Sequence, residues 1–134
     1  MTPDQVERAR MSLSRLRATP GLAGEVFYME LFAIAPHLRD RFPPDVAGQA
    51  RKLVDMLTLL VELLDQPEAL QRELEALGRR HRAYGVTEDH FDAVGMALLH
   101  MLRSVLGTDF TAEVEDAWGE LYGTTAETMI GARG

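Results

Sequence analysis

The chain has 134 residues and no cysteine, and its 21 acidic residues outnumber its 14 basic residues, which gives a formal net charge of −7. This length suits one domain over residues 1–134, and the apolar fraction of 46% argues for a packed core rather than disorder. The missing cysteines exclude disulfides and thiol ligands, the acidic charge argues against nucleic-acid binding, and the apolar runs are too short for a membrane span.

Proline, glycine and capping residues divide the chain into six helices and a short turn. We predict helices over residues 2–19, about 22–35, 45–64, 67–84, 88–106 and about 111–130, with a helical turn over 36–41. Thr2, Asp45 and Thr87 are the expected caps, and the last helix is expected to fray from Gly131. No signal peptide precedes the first helix, so a cytoplasmic protein is expected. The fold class is all-α.

Residues 70–86, which read LQRELEALGRRHRAYGV, form the helix on which the functional prediction depends. Leu74, Leu77 and His81 share one helical face, so an apolar stripe ends in an imidazole that points into the interior. An unpaired buried polar group costs about 1–3 kcal/mol. The partner of His81 is therefore a backbone carbonyl, a water molecule or a metal ion, and the residues alone leave these alternatives open.

The chain holds few other signals for chemistry. It has no HExxH spacing, no zinc-ligand cluster, no glycine-rich phosphate loop and no GxSxG element. Gln49 is a polar residue at the head of an apolar helical face. Arg79, Arg80 and Arg82 surround His81, either as a solvated helix end or as a group in which one arginine meets an acidic group of a cofactor.

An ordered set of residues along nearly the whole chain resembles the bacterial globins, namely the single-domain bacterial haemoglobins and the haem domain of flavohaemoglobins. In chain order, the set comprises Tyr28, Pro36 and Phe42, Gln49 with Leu53, His81 within HRAYGV, FDAVGMALL at 91–99 and DAWGELYG at 116–123. The resemblance implies a globin fold, a three-over-three helical sandwich with a short C-terminal helix end, which holds haem b.

The same resemblance implies roles for individual side chains. His81 would be the proximal ligand of the iron, and Phe42 would pack on the haem ring. Tyr28 and Gln49 would be the distal pair, each donating to bound O2 a hydrogen bond worth about 1 kcal/mol, beside an apolar wall at Leu53. The other expected cofactor contacts are Phe32, Lys52, Leu77, Arg80, Tyr84, Val86, Phe91, Val94 and Leu98.

Two positions depart from the relatives that oxidise nitric oxide. Those relatives support the proximal histidine with a tyrosine and a glutamate, where this chain has Phe91 and, by ungapped alignment, Arg133. Because a carboxylate on the imidazole N–H makes the ligand more basic, this chain is expected to give the iron less electron density. No reductase domain follows in this sequence, so repeated redox turnover is expected to need an external electron donor.

Three functions are compatible with the resemblance. The first is reversible binding of O2, and also of CO and NO, at an iron ligated by His81. The second is NO dioxygenase or weak peroxidase activity served by an external flavin reductase, and the third is a gas or redox sensor that acts through a partner. A monomer and a homodimer are equally compatible. His100 is expected to be a buried or interface histidine, with haem ligation or an oligomer contact as alternatives, and His37 and His90 are expected to be solvated.

Overall fold

The computed structural model describes residues 1–83 and 85–133, except the side chain of Arg133, and within these ranges it contains helices and no strand. The α-helices are α1 (Pro3–Ala18), α2 (Pro20–Ile34), α3 (Ala47–Glu62), α4 (Pro67–Ala83), α5 (Glu88–Leu106) and α6 (Ala112–Arg133). Short 3-10 helices occupy Pro36–Arg41, Leu63–Asp65 and Gly107–Asp109. The all-α prediction is confirmed. None of these helices is long and apolar enough to cross a membrane.

Local capping explains where several helices begin. The Thr2 hydroxyl accepts a hydrogen bond from the Gln5 backbone N–H at 3.1 Å, and the Gln5 side chain accepts one from the Thr2 N–H at 2.9 Å. Thr87 forms the same kind of reciprocal cap with His90 at the start of α5. Gly107 ends α5 with a φ of 56°, a left-handed conformation that suits glycine.

Two helix ends differ from the prediction. The Asp45 carboxylate accepts a hydrogen bond from the Ala47 N–H at 3.0 Å, but Val46 occupies the capping position and α3 starts at Ala47. The last helix does not fray at Gly131 but continues to Arg133. The preceding turn explains this continuation, because Met129 is only 4% exposed and its backbone lies against Gly78 of α4.

The helices form two layers, with α1, α3 and α4 crossing over α2, α5 and α6, and the main contacts between layers join α2 to α3, α4 to α6 and α1 to α6. Glycines allow the helix backbones to approach each other closely at two of these crossings. A Cβ added to Gly24 of α2 would lie 2.1 Å from the Cβ of Ala50 in α3, and one added to Gly78 would lie 2.5 Å from the Met129 carbonyl oxygen. These crossings fix the helices that surround the interior cavity.

Candidate functional site

An apolar cavity of about 310 Å³ lies between α2, α3, α4, α5 and α6. Most of the side chains that were expected at the cofactor line it. They are Tyr28, Gln49, Lys52, Leu53, Leu77, His81, Val86, Phe91, Val94 and Leu98. These ten expected residues come from α2, α3, α4, α5 and the α4–α5 connection, and the linear spacing alone did not require that they meet.

The other expected cofactor residues lie beside the cavity or outside the described residues. Phe32 and Phe42 pack on Tyr28, with ring centroids 5.9 Å and 5.2 Å from its ring, and neither is among the residues that line the cavity. Arg80 is exposed next to His81. Tyr84 lies outside the described residues, so its expected contact stays a prediction. Phe32 and Phe42 therefore pack against the Tyr28 ring and hold it in place.

His81 is half-buried at the C-terminal end of α4 and has one protein hydrogen-bond partner, the Leu77 carbonyl, 2.8 Å from its Nδ1. A carbonyl can only accept, so Nδ1 carries the proton and Nε2 keeps a free lone pair. Burial lowers the pKa of the imidazole below its ordinary value. The hydrogen bond to the Leu77 carbonyl raises this pKa in part, and the charge of Arg80 lowers it further. His81 is therefore a neutral imidazole with Nε2 available as a metal ligand.

Tyr28 supplies a polar group to the cavity from α2. Its side chain is only 7% exposed, and burial alone raises the pKa of its hydroxyl to about 12. No described residue accepts a hydrogen bond from that hydroxyl. Gln49, in the first turn of α3, adds an amide group to the same lining. The cavity thus carries two neutral donors on helices other than the one that carries His81.

One histidine prediction needs correction, and one alternative for another histidine lacks support. His90 was expected to be solvated, but it is half-buried and lines the cavity, while its Nδ1 accepts a hydrogen bond from the Thr87 N–H at 3.1 Å. His100 does not line the cavity, and its Nδ1 lies 3.1 Å from a carboxylate oxygen of Glu30, which links α5 to α2. His100 is half-buried, and its position gives no support to the alternative in which it ligates a haem.

The sequence reasoning missed the contribution of α6 to the cavity. Trp118, Tyr122, Thr125 and Met129 line it at helical spacing. The Tyr122 hydroxyl donates to the Phe91 carbonyl at 2.5 Å, and burial raises the pKa of that hydroxyl. The Trp118 indole N–H is buried without a partner among the described residues. The spacing of these residues in the sequence was a usable signal for a cavity-lining face.

The donor set points to a metal that a cofactor carries. No group of three or more His, Cys, Asp or Glu residues able to hold a bare ion occurs in the described part of the chain. Of the two histidines in the lining, His90 accepts a hydrogen bond at Nδ1, whereas His81 has its Nδ1 on a carbonyl and an Nε2 lone pair available, and one such imidazole in an apolar cavity fits the axial ligand of a haem iron. Fold and site together fit a helical protein that holds a haem.

The chain belongs to the globin family, because the family model Globin matches residues 25–129. Among curated relatives, the chain is 31% identical to a flavohemoprotein of Deinococcus radiodurans over 98% of this chain and 33% of the relative. It is 33% identical to a flavohemoprotein of Bordetella pertussis over 78% of this chain and 27% of the relative. The chain thus spans about a third of the length of these relatives.

Solved structures show the same fold at low sequence identity. A hexacoordinated heme protein from an anhydrobiotic tardigrade superposes with a TM-score of 0.88 and 18% identity, covering 98% of this chain and 94% of that chain. A bacterial globin from Campylobacter jejuni superposes with a TM-score of 0.85 and 20% identity, covering 98% and 96%. The predicted globin fold is confirmed.

Membership of the globin family implies a haem cofactor, and the residues of the cavity fit one. His81 would hold the iron through Nε2, and apolar side chains such as Leu53, Val94 and Leu98 suit a flat hydrophobic ring. Lys52, at the lining, suits a propionate carboxylate. Because the chain has no cysteine, a haem cannot be attached to it through thioether bonds, which excludes a c-type haem.

Proposed function

We propose that this chain is a haem-b globin that reversibly binds O2, and also CO and NO, with His81 as axial ligand and with Tyr28 and Gln49 as donors to the bound gas. The observation that carries the proposal is the orientation of His81, whose Nδ1–H is engaged by the Leu77 carbonyl at 2.8 Å and whose Nε2 is left for iron. A haem iron with one axial histidine supplies an open coordination position for a gas molecule.

The distal residues favour O2 over ligands with little charge. The Tyr28 hydroxyl is protonated at neutral pH, as an ordinary tyrosine is, and burial raises its pKa further to about 12, so it is available as a donor. Its ring is held by Phe27, Phe32 and Phe42, with centroid distances of 5.0, 5.9 and 5.2 Å. A fixed donor in an apolar cavity binds a polar ligand more strongly than a mobile donor in water.

The proximal side favours reversible binding over oxidation of the ligand. His81 donates to a backbone carbonyl, which makes the imidazole less basic than a carboxylate partner would. The buried Phe91 side chain, 6% exposed, has no hydroxyl that could bond to the imidazole of His81. The Tyr122 hydroxyl already donates its hydrogen bond to the Phe91 carbonyl. A weakly basic axial ligand supports binding and release of O2 without strong electron donation to it.

The distal role is tested with Tyr28→Phe in the hemin-loaded, reduced protein. Removing one hydrogen bond of about 1–1.5 kcal/mol should speed O2 dissociation roughly five- to tenfold, measured by stopped-flow displacement with CO. Dissociation of CO, whose outer atom carries little charge, should change less than O2 dissociation. The matched control is Tyr122→Phe, which removes a hydroxyl from α6 and should leave the O2 rate nearly unchanged. Equal O2 rates in wild type and Tyr28→Phe would exclude the proposed role.

A second candidate function is NO dioxygenation with electrons from a flavin reductase. The resemblance to proteins named flavohemoprotein favours it, together with the donor at Tyr28. In that reaction NO, O2 and one electron give nitrate, so each turnover requires an electron supply. Sustained NO consumption linked to NADH, with a purified flavin reductase added, supports this function, and consumption that stops after one equivalent per haem contradicts it.

A further inference from the structure

We propose that Arg39 is a positioning residue that holds the Tyr28 ring in place for binding of the gas. It acts through two neighbours of that ring, Phe32 and Phe42. The inference rests on the proposed function, because the effect of Arg39 is exerted through the hydroxyl that would donate to the gas. Arg39 itself is not among the residues that line the cavity.

The connection between Phe42 and α3 has carbonyl groups that its own backbone does not satisfy. Pro43 and Pro44 lack a backbone N–H, and a residue before a proline is held in an extended conformation, so no helical hydrogen bonds form here. The first hydrogen bond of α3 runs from the Ala50 N–H to the Val46 carbonyl, at 2.8 Å. The earlier carbonyls therefore depend on a side chain or on water for donors.

Arg39 supplies these donors from the preceding 3-10 helix. Its Nη1 donates to the Phe42 carbonyl at 3.4 Å and to the Pro43 carbonyl at 3.0 Å, and its Nη2 donates to the Pro44 carbonyl at 2.7 Å. A guanidinium carries five N–H donors in a fixed planar arrangement, so one side chain can hold several carbonyls at once. None of the ion pairs in the described part of the chain involves Arg39.

The same guanidinium contacts α2. Its Cζ lies over the Phe32 ring, 5.1 Å from the centroid, a cation–π contact. The rings of Phe32 and Phe42 are 5.5 Å apart, and both pack on Tyr28, at 5.9 and 5.2 Å. Arg39 thus joins the two rings that contact Tyr28, one through its π face and the other through its carbonyl.

The direction of the Tyr28 hydroxyl depends on this ring packing. No hydrogen bond to a described residue fixes the hydroxyl, so only the neighbouring rings determine where it points. Phe27 precedes Tyr28 on α2 and moves with it, whereas Phe42 belongs to the connection that Arg39 fastens. Without Arg39, the Phe42 ring is less well held, and Tyr28 gains orientations in which its hydroxyl misses the gas. A donor that is already ordered binds its ligand more strongly than a mobile one.

The test compares wild type with Arg39→Met in the hemin-loaded, reduced protein. Methionine keeps a long flexible side chain but has neither the charge nor the donors. The matched control is Arg103→Met on α5, because Arg103 lies over the Phe110 ring at 5.7 Å and neither residue lines the cavity. Each change is also made together with Tyr28→Phe. Two quantities are measured, the O2 dissociation rate and the C–O stretching frequency of the CO complex.

Arg39→Met should speed O2 dissociation about three- to fivefold, less than the full loss of the Tyr28 hydrogen bond. Its C–O band should broaden or split towards the frequency of Tyr28→Phe, because the hydroxyl is displaced in part of the molecules. In the Tyr28→Phe background, Arg39→Met should change the rate by less than about 1.5-fold, since the group through which it acts is gone. Arg103→Met should match the wild type in both quantities.

Arg39→Lys is the second variant and covers a failure of Arg39→Met to fold. Lysine keeps the charge without the planar fork, so it should speed O2 dissociation by about twofold. A wild-type rate and an unchanged C–O band in the Arg39 variants would overturn the positioning role, and so would an Arg39→Met effect that is equally large without the Tyr28 hydroxyl. In either case a fast Tyr28→Phe still upholds the proposed function. A wild-type O2 rate in Tyr28→Phe overturns both.

Discussion

Burial favours the neutral forms of His81 and Tyr28, two of the polar residues that line the cavity. It lowers the pKa of His81, so the imidazole is neutral and can bind iron through Nε2. It raises the pKa of Tyr28 to about 12, which extends to alkaline pH the range in which the hydroxyl keeps its proton and can donate to a ligand. Burial thus favours both a metal ligand on α4 and a hydrogen-bond donor on α2.

The raised pKa of Tyr28 predicts a loss of stability at alkaline pH. The unfolded chain releases this proton near pH 10, whereas the folded protein keeps it to about pH 12. In this range the folded state binds more protons, so the free energy of unfolding falls as pH rises. Tyr28→Phe should reduce this fall in urea midpoints measured on the apoprotein.

The control Phe42→Leu removes a neighbouring ring without an ionisable group and should lower the midpoint equally at every pH. An alkaline fall that is identical in wild type and Tyr28→Phe contradicts the burial of this hydroxyl.

The sequence indicated the residues of the cavity that carry a strong local pattern. His81 at the end of an apolar stripe, and Tyr28 and Gln49 in the globin-like order, all lie at the cavity. His90 was missed because its place depends on how α5 approaches the rest of the molecule. The Tyr122 contact with the Phe91 carbonyl joins residues 31 positions apart, and no local spacing encodes it.

Among the elements, α4 is positioned by its contact with α6. Gly78 is buried at this crossing, and an added Cβ would lie 2.5 Å from the Met129 carbonyl oxygen and 2.8 Å from its Cα. These are backbone atoms, so no side-chain rotation can relieve the contact. The crossing lies one turn before His81, and it therefore fixes where the imidazole enters the cavity.

Gly78→Ala should destabilise the protein by about 1–3 kcal/mol, because the helices must move apart to accept the methyl group. It should also weaken haem retention by displacing His81. Gly119→Ala is the matched control, since an added Cβ there meets nothing within 4 Å in the same structure. That change should stabilise the helix by about 0.5–1 kcal/mol. Urea unfolding of the apoproteins measures both effects, and similar values for the two variants would rule out the close crossing.

Helix existence was easier to predict than helix ends. The caps at Thr2 and Thr87 and the stop at Gly107 were readable because each depends on residues adjacent in sequence. The start of α3 was misplaced because Asp45 bonds Ala47 from outside the helix. The continuation of α6 through Gly131 depends on packing against α4, and the sequence near Gly131 contains no sign of that contact.

For the molecule as a whole, an apolar cavity of about 310 Å³ in the core makes stability depend on the cofactor. Haem that binds only the folded state should raise the free energy of unfolding by about 4 kcal/mol at a free concentration near 1,000 times its Kd. Thermal unfolding at increasing hemin concentration measures this shift. Leu53→Asp, which places a charge in the lining, should reduce the shift, whereas Leu22→Asp at an exposed position should not. A melting temperature that does not respond to hemin contradicts a haem cavity.

The most direct measurement is the visible absorption spectrum of the hemin-loaded, reduced protein before and after addition of CO, recorded for wild type and for His81→Gly. The wild type should show a Soret band that shifts on CO binding. His81→Gly should lose the spectrum of histidine-ligated haem, and added imidazole should restore it by entering the space left by the side chain. An unchanged spectrum in His81→Gly without imidazole would show that His81 is not the ligand, and the account of the site would then be wrong.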